Sequence, residues 1–326
     1  MAWWDRAGRA AAYGAALALA PYALIKVSWV VASLLGVLPV GGGFGLAEWV
    51  VLNTVTVGMA GTGIILALAL VRPWGMRIPG PPLAFCAWVA TGFLVSLLPY
   101  AVLSTLWEPA GGGTGGDSGG GGEDDPAMPV WEAVLVQIGF VGTGLGLLIA
   151  LPAYLRRRWP GAFAGRLGDG TVARRGVGRP RAVPPWTALL GGAVGLVWLY
   201  WAAGGTAGLA HPAAREAHWH ALTAVSALWA FAGAAAGWGL ARARPARLPR
   251  WVPLVFAWLG SGSLFAWSAW KLPLTLYLSL TDPAGAVVPP ERPVVAELLY
   301  VAAVVAGAGL LRTLVRARAG SPPVRA

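Results

Sequence analysis

Apolar positions in this chain do not alternate with polar ones. They run in long stretches separated by short polar breaks: Ala11–Leu38, Leu46–Val71, Pro82–Leu106, Val130–Leu155, Trp186–Ala203, Trp219–Leu240, Trp251–Leu272 and Val294–Val315. A bilayer core of about 30 Å is crossed by about 20 helical residues, so each stretch reads as one span. Backbone groups cannot stay unpaired in hydrocarbon, which leaves helices or closed barrels. Barrel strands would alternate over about 10 residues. That alternation is absent, and the pattern predicts an all-α polytopic membrane protein with eight transmembrane helices. Pro21, Pro99 and Pro152 should bend or end their helices locally. Arg6, Arg9 and the Ala18–Leu19–Ala20 triplet loosely imitate a secretory signal, but the apolar run continues to Val40 and reads as a retained first span.

Charge sorts along the same breaks. Arg6 and Arg9 precede span 1, and Arg72 and Arg77 follow span 2. Eight arginines from Arg156 to Arg181 join spans 4 and 5. Arg242, Arg244, Arg247 and Arg250 join spans 6 and 7, and Arg312, Arg316, Arg318 and Arg325 end the chain. Twenty of the 24 basic residues thus fall on one side, and 11 of the 13 acids on the other. Basic loops mark the cytoplasmic face, so both termini are expected inside a bacterial cytoplasmic (inner) membrane. A wrong span count would scramble this sorting. Topology also accounts for the net charge of +11, so no nucleic acid is expected as a partner. The expected partner is the bilayer, with anionic lipid heads at the arginine-rich loops.

Spans 1–4 and 5–8 look like two copies of one unit. Residues 23–29, with Lys26 and Trp29, lie over residues 195–201, with Trp198 and Trp201. Glu48–Trp49 lies over His218–Trp219. Arg77–Ile78–Pro79, Ala87–Trp88 and Gly92 lie over Arg247–Leu248–Pro249, Ala257–Trp258 and Gly262, and Glu132 lies over Glu297. An even number of spans per copy predicts two parallel repeats related about the membrane normal, unlike inverted transporter repeats. The chain then divides into a first four-helix repeat (1–158), a basic cytoplasmic linker (159–185), a second repeat (186–318) and a cytoplasmic tail (319–326). Within the first repeat, the glycine-rich stretch 109–129 cannot pack a core and is expected to be a flexible outer loop. It lacks the Gly-Lys-Ser/Thr of a phosphate loop, and Asp124–Asp125 reads as part of a solvated acidic loop.

Helix contacts are expected at the GxxxG pairs Gly142/Gly146, Gly191/Gly195 and Gly233/Gly237. Trp3, Trp4, Trp49, Trp74, Trp107, Trp131, Trp159, Trp186, Trp219 and Trp251 fall near span ends and read as an aromatic belt.

Composition removes the soluble alternative and most chemistry. Hydrophobic residues make up 57% and charged residues 11%, against about 25% charged in a soluble domain. A single cysteine, Cys86, excludes a disulfide framework and reads as a small packed residue. No nucleophile elbow, HExxH or paired-carboxylate helix motif occurs. Lys26 stands out, because a charge inside a span is costly and usually paired. Its expected partners are Glu48 and Glu132; these three and Glu297 are the candidate binding residues. The bland alternative is a snorkelling or structural lysine, and Lys271 reads as an interfacial anchor. His211, His218 and His220, with Glu216, are the only candidate metal ligands. His218 and His220 are two apart and would diverge on a helix, so ordinary polar histidines are the default and no cofactor is expected.

The stretch 198–209, Trp-Leu-Tyr-Trp-Ala-Ala-Gly-Gly-Thr-Ala-Gly-Leu, resembles a motif of uncharacterised multi-pass membrane proteins of actinobacteria. The first repeat keeps only Lys26 and Trp29 of the Lys-x-x-Trp form. The resemblance covers about a tenth of the chain and implies no activity to carry over. The alanine-, glycine- and arginine-rich usage also suits a high-GC bacterium. Three functions follow as expectations. The first is a non-catalytic accessory, sensory or resistance factor. The second is a small transporter or channel with a site near Lys26. The third is a membrane-embedded enzyme using the outer His/Glu groups.

Overall fold

The computed structural model describes residues 2–37, 45–107, 130–159, 161, 165–167, 186–281 and 289–319. The linker 159–185, the glycine-rich loop and the tail lie wholly or mostly outside these residues. Nine α-helices occur among the described residues: α1 (Ala2–Leu34), α2 (Leu46–Ala69), the short α3 (Pro73–Arg77), α4 (Gly80–Trp107), α5 (Val130–Arg158), α6 (Trp186–Ala202), α7 (Ala217–Arg242), α8 (Trp251–Thr281) and α9 (Pro293–Ala319). No strand longer than an isolated bridge occurs among them. The chain is therefore an all-helical protein of membrane-spanning character.

Among the described residues seven helices, not the expected eight, are long and apolar enough to cross a bilayer. The remaining expected span, α6, has 17 residues, about 25 Å at 1.5 Å per residue, short of an average hydrocarbon core. Long leucines point outward along the helices, with Leu17 75% and Leu24 69% exposed. In water such a surface would aggregate; against lipid tails it is the ordinary exterior.

The helices form two compact units. The first holds α1–α3, the start and end of α4, and α5 up to Tyr154. Its α1–α5 contact runs on small residues. A Cβ on Gly142 would lie 2.6 Å from the Ala18 Cβ, and one on Gly146 would lie 2.6 Å from the Ala11 carbonyl oxygen. Thr143, between them, donates to the Ala15 carbonyl at 3.2 Å. Lipid tails are as apolar as leucine, so close backbone approach and interhelical hydrogen bonds replace the hydrophobic drive of a soluble bundle.

The second unit holds residues 88–100 of α4 together with α6–α9. Its core gathers Val194, Trp198 and Trp201 of α6 with Leu264 of α8 and Leu310 of α9. Gly195 faces Ala230 and Phe231 on α7, and Gly233 faces the Gly260 backbone on α8. Within this unit α4 and α8 meet at Gly92 and Gly262, where a Cβ on either would strike the backbone of the other helix. Trp88 Nε1 donates to Ser261 Oγ at 3.0 Å, and Trp258 Nε1 donates to Thr91 Oγ1 at 3.0 Å. Ser96 and Ser263 share a further bond at 2.7 Å.

Connections pair at both ends of this unit. At one end Leu167 N–H donates to Leu248 O, and Arg250 N–H to Gly165 O, so Gly165–Leu167 lies against Leu248–Arg250. At the other end Leu209 bridges Glu291, and Arg292 N–H donates to Gly208 O. These are the loops that the charge sorting assigns to common faces.

Two sequence expectations are corrected here. Cys86 is exposed rather than packed, on the outward face of α4. Lys271 does not end its span: α8 continues to Thr281, because Pro273 sits inside the helix without stopping it.

Candidate functional site

Lys26 sits on the face of α1 that meets α2. Tyr22, Lys26, Trp29 and Ser33 follow one another at helical spacing, as do Trp49, Asn53 and Thr56 on α2. Antiparallel packing brings these stripes together as a ladder of polar and aromatic rungs. Tyr22 lies opposite Thr56. Lys26 Nζ donates to Asn53 Oδ1 at 3.1 Å. Trp29 and Trp49 stack with centroids 6.1 Å apart and planes 17° from parallel. Trp49 Nε1 donates to Ser33 Oγ at 3.1 Å.

Asn53 is only 2% exposed, so its amide has to be satisfied within the protein. Its Nδ2 donates to the Trp49 carbonyl at 2.9 Å, leaving Oδ1 to accept from Lys26. The ammonium also lies 4.0 Å from the centroid of the Trp29 ring and 6.0 Å from that of Tyr22. A cation over indole gains about 0.5–2 kcal/mol, the more the drier the site. Asn53 carried no motif and was not among the sequence candidates. Its signal was its place three residues from Thr56 and four from Trp49, on the face opposing Lys26.

The carboxylates named from sequence have other roles among the described contacts. Glu48 Oε2 accepts from the Gly45 N–H at 3.0 Å and caps the start of α2. Glu132 lies in the first turn of α5, where a negative charge offsets the helix dipole. Glu297 accepts from Ser279 Oγ at 2.9 Å, linking α9 to α8.

Lys271 has a comparable setting in the second unit. Its ammonium lies 5.7 Å from the Tyr300 ring centroid, and Glu291 lies within electrostatic range of both. Glu291 is 8% exposed, and the Trp267 ring centroid lies 5.6 Å from the ammonium. Lys26 and Lys271 are the chain's only lysines beside 22 arginines. Each rests against a tryptophan and a tyrosine.

The residues 198–209 build the end of α6 and its cap. Tyr200 folds over Gly205, and its hydroxyl accepts from the Thr206 and Ala207 N–H groups at 3.2 Å each. Gly204 and Gly208 take φ of +101° and +85°, open to glycine and strained for other residues. The Arg215 guanidinium donates to the carbonyls of Gly205 at 2.9 Å and Trp201 at 3.4 Å. It adds a second donor to the Trp201 carbonyl, which also accepts from the Gly204 N–H at 3.0 Å, and ties the turn after α6 to the helix end.

The three histidines diverge. His211 N–H donates to the Pro290 carbonyl, His218 Nδ1 lies 3.2 Å from Glu216 Oε2, and His220 Nδ1 lies 3.0 Å from the Ala202 carbonyl. Among the described residues no three His, Cys, Asp or Glu side chains are placed to hold a metal ion. No family model, curated protein or solved structure matches the chain.

Proposed function

We propose that the chain is a bacterial inner-membrane protein of eight spans, built as two parallel four-helix copies with both termini in the cytoplasm. In this reading it acts without catalysis, as an accessory, sensory or resistance factor of actinobacterial type. The carrying observation is where the polar groups inside the spans go. Lys26, Asn53, Thr143, Trp88, Ser261, Trp258 and Thr91 are each engaged with a neighbouring helix. Interhelical bonds of this kind hold a bundle together. The paired hairpins support the duplication: α1 packs on α2 and α6 on α7. The Trp29–Trp49 pair has its counterpart in Trp201–Trp219, at 6.4 Å.

Reporter fusions test the topology. A fusion within the glycine-rich loop is expected to read outside, and fusions at Arg174 and the C-terminus inside. A cytoplasmic readout for the loop overturns the eight-span layout.

The second reading is a small transporter or channel, and one observation favours it: Lys26 is only half-buried while its partner Asn53 is fully sheltered. Complementing a gene deletion with Lys26→Met separates the two. The accessory reading expects full rescue at normal folded yield; the transport reading expects normal yield and no rescue.

A further inference from the structure

The contact between α4 and α8 repeats itself across the two helices bond for bond. Trp88 Nε1 donates to Ser261 Oγ, and Ser261 Oγ donates on to the Trp258 carbonyl at 3.2 Å. In the other direction Trp258 Nε1 donates to Thr91 Oγ1, and Thr91 Oγ1 donates on to the Trp88 carbonyl at 3.2 Å. The two relays are the same circuit with the helices exchanged. Their members stand 170 residues apart in every case: Trp88 and Trp258, Thr91 and Ser261, Gly92 and Gly262. Each glycine fits because the other helix's backbone fills the space where its Cβ would stand. Residue i on one helix meets residue j on the other, and j meets i, which is the signature of a twofold, isologous contact.

The direction of the axis can be read from the order of contacts. Residues preceding the glycines meet one another, as Trp88 with Ser261 and Thr91 with Trp258. Residues following them also meet, as Ser96 with Ser263 and Phe93 with Trp267. The helices therefore run parallel at the crossing, and the relating axis lies along them. An inverted repeat would pair early residues with late ones. Beyond the glycines the symmetry lapses: the counterpart of Ser96 is Ala266, and that of Ser263 is Phe93. The duplicated element is the five-residue Trp-x-x-(Thr/Ser)-Gly.

We infer that this element is a self-complementary docking surface through which α4 of the first repeat and α8 of the second recognise each other about a local twofold axis. The partner is a second copy of the same element, supplied in cis. The inference deepens the duplication proposed above and rests on it. Small residues allow the approach, and the indole N–H groups set the register, since a slide of one turn would leave two donors facing apolar side chains.

The test uses the full-length protein in detergent, with a site for a sequence-specific protease inserted after Gly176. After cleavage, the unsubstituted halves are expected to co-elute on size exclusion. Trp88→Phe and Trp258→Phe retain a ring and remove one donor each, and both should lower the melting temperature by the same amount. In paired variants, Trp88→Phe should be non-additive with Ser261→Ala, and Trp258→Phe with Thr91→Val, to equal extents. Gly92→Leu and Gly262→Leu should each release the halves on cleavage; if either fails to fold, the Trp→Phe pair carries the comparison. Separation of the unsubstituted halves, or one Trp→Phe variant being silent while the other is not, overturns the inference. A cytoplasmic glycine-rich loop would instead remove the parallel-repeat reading and leave the two matched couplings standing.

Discussion

The ammonium of Lys26 lies 3.1 Å from the amide oxygen of Asn53, joining two helices through polar atoms far from either helix start. Asn53 Oδ1 is buried and accepts from Lys26, so removing the lysine leaves an acceptor in an apolar setting. Lys26→Met is expected to destabilise the protein by about 1–3 kcal/mol. Lys26→Met combined with Asn53→Leu should recover part of that loss, because both partners then become apolar. Thermal unfolding of the four proteins in detergent decides it; a double variant as unstable as the sum of the singles argues against the rung.

Glycines on α1, α2 and α5 should respond in opposite ways. Gly146→Leu forces side-chain atoms into the α1 backbone at Ala11 and Ala15 and should abolish the folded yield. Gly14, Gly58 and Gly61 have open space where a Cβ would stand. Alanine there should be neutral or stabilise by up to about 1 kcal/mol through helix propensity. Melting temperatures of the single variants check both directions, and a loss at Gly58→Ala would show a neighbour that the packing does not place there.

Arg215 is expected to matter more than its half-buried position suggests. Arg215→Gln withdraws donors from the Gly205 and Trp201 carbonyls and a positive charge from the C-terminal end of α6. The expected cost is about 1–2 kcal/mol. Hydrogen exchange should report it locally, with the amides of Gly204 and Gly205 losing protection before those in the middle of α7. Uniform loss across the chain would count against a local cap.

Cys86 offers a probe of which surface faces lipid. It is exposed, and it lies seven residues into a span-length helix. Lipid keeps the thiol protonated and unreactive, so neither a membrane-permeant maleimide nor a charged, impermeant one should label it in intact vesicles, while denaturation should make it label. Equal labelling by both would place this face of α4 in water.

The spans were legible because crossing a bilayer constrains length and apolarity within each segment, and both are local properties of sequence. The charge sorting was legible for the same reason, and the paired connections at the two ends of the second unit agree with it. Leu167 pairs with Leu248 at one end and Leu209 with Glu291 at the other. The GxxxG pair Gly142/Gly146 was also readable, since its meaning is the lack of a side chain.

Partnership was not readable, because it depends on how each helix is rotated about its axis, and lipid and protein neighbours are equally apolar. That rotation exposes Cys86 and turns Asn53 toward Lys26. It also sets Thr91 against Trp258 and Ser261 against Trp88. Glycine and tryptophan marked a repeat there in the sequence, but Thr91 and Ser261 became a matched pair only when each met the other helix's tryptophan. Sequence alone determined that the chain folds as apolar helices and where they break. Tertiary packing decided which buried polar atoms satisfy one another, since a hydroxyl, an amide or an ammonium in a dry interior takes its partner from whichever helix is rotated to meet it.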